Sequence, residues 1–130
     1  MSNCFGYHAM LDCANCDVSR FTKENITNFT KDLVKQIGMT AYGEPIIEHF
    51  ANHNPDVGGF TMVQLIETSD ITAHFVDANG SAFFDCFSCK VFPVNVFRNV
   101  VEMYFAPKAI SQFYLERFAP SLPPSPRKRG

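Results

Sequence analysis

Tryptophan is absent from this sequence, charged residues make up only 18% of it, and no apolar run is long enough to cross a bilayer. Each shortage excludes something. A membrane-spanning helix needs about 20 consecutive apolar residues. The opening Met1-Ser2-Asn3-Cys4 has neither the charged nor the apolar region of a secretory signal, so the expectation is a cytoplasmic protein with no membrane partner. With 11 basic and 13 acidic side chains the formal net charge is −2, and the basic residues gather only at Arg127-Lys128-Arg129. A dedicated nucleic-acid binder carries a basic face that neutralises several phosphates, and none is legible here. What the chain does have is 46% hydrophobic residues, 14 of them phenylalanine, among 130 residues. That is enough for one packed domain and excludes a wholly disordered chain. Five cysteines, an odd number, fit a reducing compartment better than a disulfide framework.

Hydrophobic spacing alternates between the strand period and the helix period, which predicts an α+β domain: a two-layer sandwich in which an antiparallel sheet packs against two main helices. Strands are expected at Phe5 to Asp12, Glu44 to Phe50, Phe60 to Ile66, Ile71 to Val76, Ala82 to Ser88 and Ile110 to Arg117. Ile26, Phe29, Leu33 and Ile37 fall on one helical face, with Thr22 as N-cap and Gly38 as stop. Val94, Phe97, Val101, Tyr104 and Phe105 line a second helix between Pro93 and Pro107. The pair Asn79-Gly80 supplies residues suited to the positive φ values of a tight hairpin. The domain is expected to span residues 1–118, followed by a Pro-rich, basic tail over 119–130 that need not fold.

Two Cys-x-x-Cys motifs, Cys13-Ala-Asn-Cys16 and Cys86-Phe-Ser-Cys89, have the spacing of a four-cysteine zinc site. The second, however, continues an apolar strand in which its two sulfurs point to opposite faces, so these cysteines read as small buried hydrophobes and no metal is expected. His49 and His53 stand four apart beside Glu48, but on a strand running into a loop rather than on a helix. His74 reads as a hydrogen-bonded imidazole among Ile71, Ala73 and Phe75. Ser69 lies in Glu67-Thr68-Ser69-Asp70, a polar break between strands that reads as a turn and is able to hold a strained backbone.

The stretch from Leu65 to Phe75, holding Ser69 and, five residues on, His74, followed by Asp85-Cys86-Phe87-Ser88-Cys89, resembles the active centre of the short, prokaryotic-type S-adenosylmethionine decarboxylases. Gly6-Tyr7-His8 with Leu11-Asp12 and Cys16-Asp17 is similar to that family's first strand, and the order of elements agrees to about Arg117. The resemblance implies a self-processing carboxy-lyase. Ser69 would attack the Thr68 carbonyl, the peptide would become an ester, and elimination would cut the chain between Thr68 and Ser69. The downstream fragment would then begin with a pyruvoyl group derived from Ser69, which forms a Schiff base with the substrate amine and acts as electron sink. By the same resemblance His74 is the processing base, Cys89 the general acid that reprotonates the substrate carbon, and Thr61 a second hydroxyl that helps processing. A homodimer of processed protomers, acting on a small molecule on the route to spermidine and other polyamines, is implied as well.

The sequence also departs from the family pattern. Thr68-Ser69-Asp70 replaces Glu-Ser-His, with the glutamate one place earlier at Glu67, so Asp70 puts a carboxylate beside the reactive centre. After His74, Phe75-Val76-Asp77-Ala78 replaces Thr-Trp-Pro-Glu, whose Glu engages the ribose hydroxyls. Asp77 is one place off. Two further readings therefore stand beside S-adenosylmethionine decarboxylation: a pyruvoyl-dependent ornithine or arginine decarboxylase, and an unprocessed, non-catalytic homologue that binds a nucleoside or a partner enzyme.

Overall fold

The computed structural model describes residues 5–122. Six strands form one sheet in the order β2-β3-β4-β5-β1-β6, every neighbouring pair antiparallel. They are β1 (Gly6–Ala14), β2 (Ala41–Phe50), β3 (Gly59–Ile66), β4 (Ser69–Val76), β5 (Ser81–Ser88) and β6 (Ala109–Arg117). Helices α1 (Lys23–Gln36) and α2 (Val94–Phe105) lie together on one face, giving the α+β two-layer sandwich that the periodicity predicts. No helix among the described residues is long and apolar enough to cross a membrane. Residues 119–122 carry no helix or strand, and the rest of the expected tail lies outside the described residues.

The helices are where local chemistry puts them. Thr22 accepts a hydrogen bond from the Asn25 N–H at 3.1 Å, satisfying a donor that the first turn leaves without a helical partner. Ile26, Phe29, Leu33 and Val34 then face the sheet, and Gly38, at φ +75°, ends the helix. Helix α2 begins after Pro93 and ends at Ala106, which takes the left-handed conformation just before Pro107. Between helices and sheet sits an aromatic cluster. Phe29, Phe75, Phe84 and Phe105 are all fully buried, with ring centroids 4.9 to 5.6 Å apart. Each ring removed from water is worth about 1.5–3 kcal/mol, and each tilted or edge-on pair adds about 0.5–1.5 kcal/mol.

Three expectations need correction. First, β4 begins at Ser69 rather than Ile71, so the break before it is only Glu67-Thr68, and no residue from 67 to 70 has a positive φ. Ser69 pairs with Ile66 on one side and Ser88 on the other, which holds it in regular strand geometry in place of a strained loop. Second, β2 reaches back to Ala41 across a bulge between Tyr42 and Ile46, where Gly43 has φ +72°. The buried Gln64 side chain donates to the Tyr42, Gly43 and Leu65 carbonyls, so the bulge leaves these groups satisfied. An irregular stretch of this kind hides a strand from period-2 reading. Third, the β4–β5 hairpin uses four residues, 77–80, and only Gly80 has a positive φ. Asn79 instead accepts the Ser81 N–H on its side chain at 2.9 Å.

Candidate functional site

Ser69 and its neighbours gather at one end of the sheet, where three chain segments meet at the β3–β4 turn. The Thr68 carbonyl oxygen accepts the Cys89 backbone N–H at 3.1 Å. The Ser88 hydroxyl donates to Thr68 Oγ1 at 2.6 Å and itself accepts the Lys90 N–H at 3.0 Å. Glu67 N–H is held by the Thr40 carbonyl at 2.9 Å, and Lys90 Nζ donates to the Gly38 carbonyl at 2.8 Å. The peptide bond between Thr68 and Ser69 is therefore gripped from both sides. Ser69 Oγ donates to Asp70 Oδ2 at 3.3 Å. Glu67, Thr68, Ser69, Asp70 and Cys89, all named from the sequence, meet here. Ser88, fully buried, stands in the motif that resembles the family's active centre, but the sequence assigned it no role of its own. Its signal was its position opposite Ser69, and strand register is invisible in a linear chain.

The chemistry this turn can support follows from where its donors point. If Ser69 Oγ attacks the Thr68 carbonyl carbon, negative charge develops on the Thr68 oxygen, and the Cys89 N–H is already aimed at it. The Asp70 carboxylate is the nearest base for the departing hydroxyl proton. Cys89 itself is exposed at the end of β5.

His74 and Thr61 form a second group. They are register partners on β4 and β3, with Thr61 Oγ1 at 2.8 Å from His74 Nδ1 and His74 Nε2 at 3.1 Å from the Val57 carbonyl. A carbonyl only accepts, so Nε2 carries a proton, and in the tautomer that has its proton there the Thr61 hydroxyl donates to Nδ1. Gly59 makes this corner possible, since a Cβ there would lie 1.7 Å from the Phe75 carbonyl oxygen. His74 does not sit among Ile71, Ala73 and Phe75 as expected. Those three are buried beneath the helices, whereas His74 shares the opposite, helix-free face with Asp70 and Thr72.

The two groups are separate within one chain. Five residues of extended strand put His74 about 16 Å from Ser69, at the far end of β4 and on the other side of the pleat, since Ser69 alternates with Ile71, Ala73 and Phe75. The helix-free face that carries His74 also presents large apolar side chains. Leu65, Phe83, Phe113 and Leu115 lie on it, 43% to 54% exposed. His8 and Asp85 pair on the same face at 2.9 Å.

Asp77, the residue one place off the family's ribose-binding glutamate, is engaged with His49 at 2.6 Å, and this hydrogen bond raises the His49 pKa. The two line a cavity of about 260 Å³ with Ala51, Asn52, Pro55 and Gly58. The two Cys-x-x-Cys motifs do not converge. Cys13 pairs in register with Ala82 and Cys86 with Ala9, four residues or roughly 13 Å apart along the sheet. Among the described residues, no group of three or more potential metal ligands occurs.

No curated protein sequence matches this chain. Among solved structures, the crystal structure of the adenosylmethionine decarboxylase from Aquifex aeolicus VF5 matches 95% of this chain and 99% of its own, with a TM-score of 0.75 at 22% sequence identity. At that identity the likeness speaks for the fold, which is shared over nearly the whole length of both chains. The family model for S-adenosylmethionine decarboxylase matches residues 7–118, a span that contains both the Ser69 turn and the Thr61–His74 pair. With that span covering most of its length, the chain belongs to the S-adenosylmethionine decarboxylase family of carboxy-lyases.

Proposed function

We propose that this protein is a pyruvoyl-dependent decarboxylase of S-adenosylmethionine, serving polyamine synthesis and activated by cleavage of its own chain between Thr68 and Ser69. The observation that carries the reading is the grip on that peptide: a serine opens a strand directly after a carbonyl that receives the Cys89 N–H at 3.1 Å. Ser69 Oγ attacks the Thr68 carbon while Asp70 takes the hydroxyl proton. The C–N bond breaks and leaves an ester. Removal of the Ser69 α-proton then expels Thr68 as a free carboxylate, and hydrolysis of the resulting dehydroalanine releases ammonia and leaves pyruvoyl at position 69. The residues present suit a group made in place, because the turn is anchored by Ser88, Thr40 and Cys89 on elements that remain after the cut. When present, that group supplies an electron sink for carbon dioxide loss. Cys89, exposed beside it, is the group we assign to returning a proton to the substrate carbon.

His74 is too far from Ser69 to act on it in the same chain. We infer that the enzyme is a homodimer, with two helix-free faces packed so that the Thr61–His74 pair of one copy reaches the Ser69 turn of the other. The half-exposed Leu65, Phe83, Phe113 and Leu115 of that face support this, since a partner layer would take their large apolar side chains out of water. In this arrangement Thr61 orients the His74 ring through Nδ1. The four described cysteines are free thiols, which suits the cytoplasm.

Asp77, the nearest match to the family's ribose-binding carboxylate, is engaged by His49. Ornithine or arginine is accordingly the second substrate to assay. Denaturing mass spectrometry of purified protein tests self-cleavage: two fragments split at Thr68-Ser69 are expected, the second lacking a free amino terminus. A chain that stays intact on long incubation overturns the enzyme reading and leaves the non-catalytic binding homologue. Carbon dioxide release from S-adenosylmethionine, ornithine and arginine then settles the substrate.

A further inference from the structure

Residues 51–58, which connect β2 to β3, carry no helix or strand, yet two of their consecutive carbonyls reach the end of β4. The Val57 carbonyl accepts the His74 Nε2–H at 3.1 Å, and the Gly58 carbonyl accepts the Asp77 N–H at 3.0 Å. Inside the connection Asn54 is the hub. Its carbonyl accepts the Val57 and Gly58 N–H groups at 3.2 and 3.0 Å, and its side chain accepts the Asp56 N–H at 3.1 Å. The chain enters through Ala51 in the left-handed region at φ +57°, a conformation costly for alanine. It leaves through Gly58, where a Cβ would lie 2.9 Å from the Ala51 carbonyl oxygen. A strained entry and a close crossing persist only where the surroundings fix them.

One tie from outside is a side-chain pair. His49, next to last in β2, donates from Nε2 to Asp77 Oδ2 at 2.6 Å, and Asp77 follows directly on β4. The bond therefore joins the two strand ends that flank the connection. The His49 ring is itself set edge-on against Phe60, with centroids 4.9 Å apart. A cavity of about 260 Å³ is lined by this pair and by residues of the connection, so close packing gives little support on that side.

We propose that the His49–Asp77 pair is a clasp that positions His74: it holds the 51–58 connection so that the Val57 carbonyl keeps the ring proton on Nε2 and leaves the lone pair on Nδ1. The proposal rests on the reading of His74 as the processing base. In a neutral imidazole one nitrogen donates and the other accepts, and the partner of one decides the state of the other. Were the Val57 carbonyl to drift, the proton could sit on Nδ1 and donate to Thr61 Oγ1, and that nitrogen would have no lone pair for the Ser69 elimination. His49 and Asp77 are thus positioning residues that act through the connection, and Asp77 has work to do here other than binding a ribose.

The test uses full-length chains isotopically labelled at histidine nitrogen, in a Ser69→Ala background so that every sample is an uncut precursor, at a pH where the His74 ring is neutral. Without further change, the His74 ring should give the nitrogen NMR shifts of the Nε2-protonated tautomer. Asp77→Ala, and His49→Phe, which keeps a ring against Phe60, should each move those shifts toward an average of the two tautomers. With Ser69 present, either substitution should lengthen the cleavage half-time about 10-fold, within the roughly 10²-fold that misplacing a reacting group can cost. The double variant should be no slower than either single one, because the same bond is lost in each. Asp77→Asn, whose amide oxygen still accepts from His49, should recover most of the loss. The proposal is overturned if the His74 shifts stay unchanged in both variants, or if they change without slowing cleavage. A wild type that never cuts itself removes the processing reading alone, since the nitrogen shifts still decide whether the clasp sets the tautomer.

Discussion

The two faces of one sheet are built from similar residues and meet opposite fates. Beneath the helices Phe75 and Phe84 are fully buried against Phe29 and Phe105. On the other face Phe83, one residue along from Phe84, is 43% exposed, and Phe113 is 49% exposed. Period-2 alternation normally sends polar residues to an open face. Here that face keeps large apolar groups and also holds the Thr61–His74 pair, Asp70 and the His8–Asp85 pair. A face that is both greasy and furnished with titratable groups makes sense as a surface completed by another layer, whereas the helix face needs nothing further. One face makes the fold, and on our reading the other makes the enzyme.

The largest expected effect breaks the enzyme and spares the fold. Ser69→Ala should abolish chain cleavage and carbon dioxide release altogether while leaving the circular dichroism spectrum unchanged; any cut at this bond in the variant refutes Ser69 as precursor. Next comes His74→Ala, expected to slow cleavage by about 10²–10⁴, the usual cost of losing a general base. Because we place His74 opposite the Ser69 of a second copy, co-expression with Ser69→Ala chains, which keep their own His74, should restore cleavage of the His74→Ala chain. Failure of that rescue would mean His74 acts within its own chain or only through structure.

A matched pair of substitutions then contrasts the faces directly. Phe105→Ala on the buried side should cost about 3–5 kcal/mol in urea unfolding. Phe113→Asp on the open side should change the stability of the monomer by less than about 0.5 kcal/mol. It should nevertheless lower the mass seen by light scattering to that of one chain, and slow cleavage with it. An unchanged assembly in Phe113→Asp would remove the face-to-face dimer.

The smallest effect belongs to the rim. The Asp77 hydrogen bond raises the His49 pKa above its ordinary value of 6.5. A raised folded-state pKa means that the charged ring stabilises the fold fully below about pH 6.5, the value in the unfolded chain, and that this contribution fades as pH rises through the folded value. Melting temperatures of wild type and Asp77→Asn across pH 5 to 9 should therefore differ most at the acid end and converge at the alkaline end. Parallel curves would show that the pair contributes no pH dependence.

Much of this is legible in the sequence. The α1 face was written in Ile26, Phe29, Leu33 and Ile37, and its start in Thr22, because a helix repeats within a few residues and its cap is local. Five of the six strands showed their alternation to within two residues at each end. The bulged part of β2 did not, since Gly43 and Pro45 break the period that carries the signal. Ser69, His74, Cys89 and Thr61 were nameable only as a spacing similar to a known family, and their spacing along the chain said nothing of distance. Ser88 stood in that motif without a role, because its role comes from lying opposite Ser69 in register.

What the sequence by itself determined here was the class of fold, its elements and the chemical types available for a reaction. These depend on periodicity, caps and turns, which are short-range. The tertiary structure decided which of those groups meet. Pairing of β3, β4 and β5 laid Cys89 N–H on the Thr68 carbonyl and Thr61 against His74, and the rise of an extended strand held His74 about 16 Å from the serine five residues before it. An antiparallel register converts residues far apart in the chain into neighbours and near ones into strangers. That conversion depends on the whole sheet and is written in no single segment.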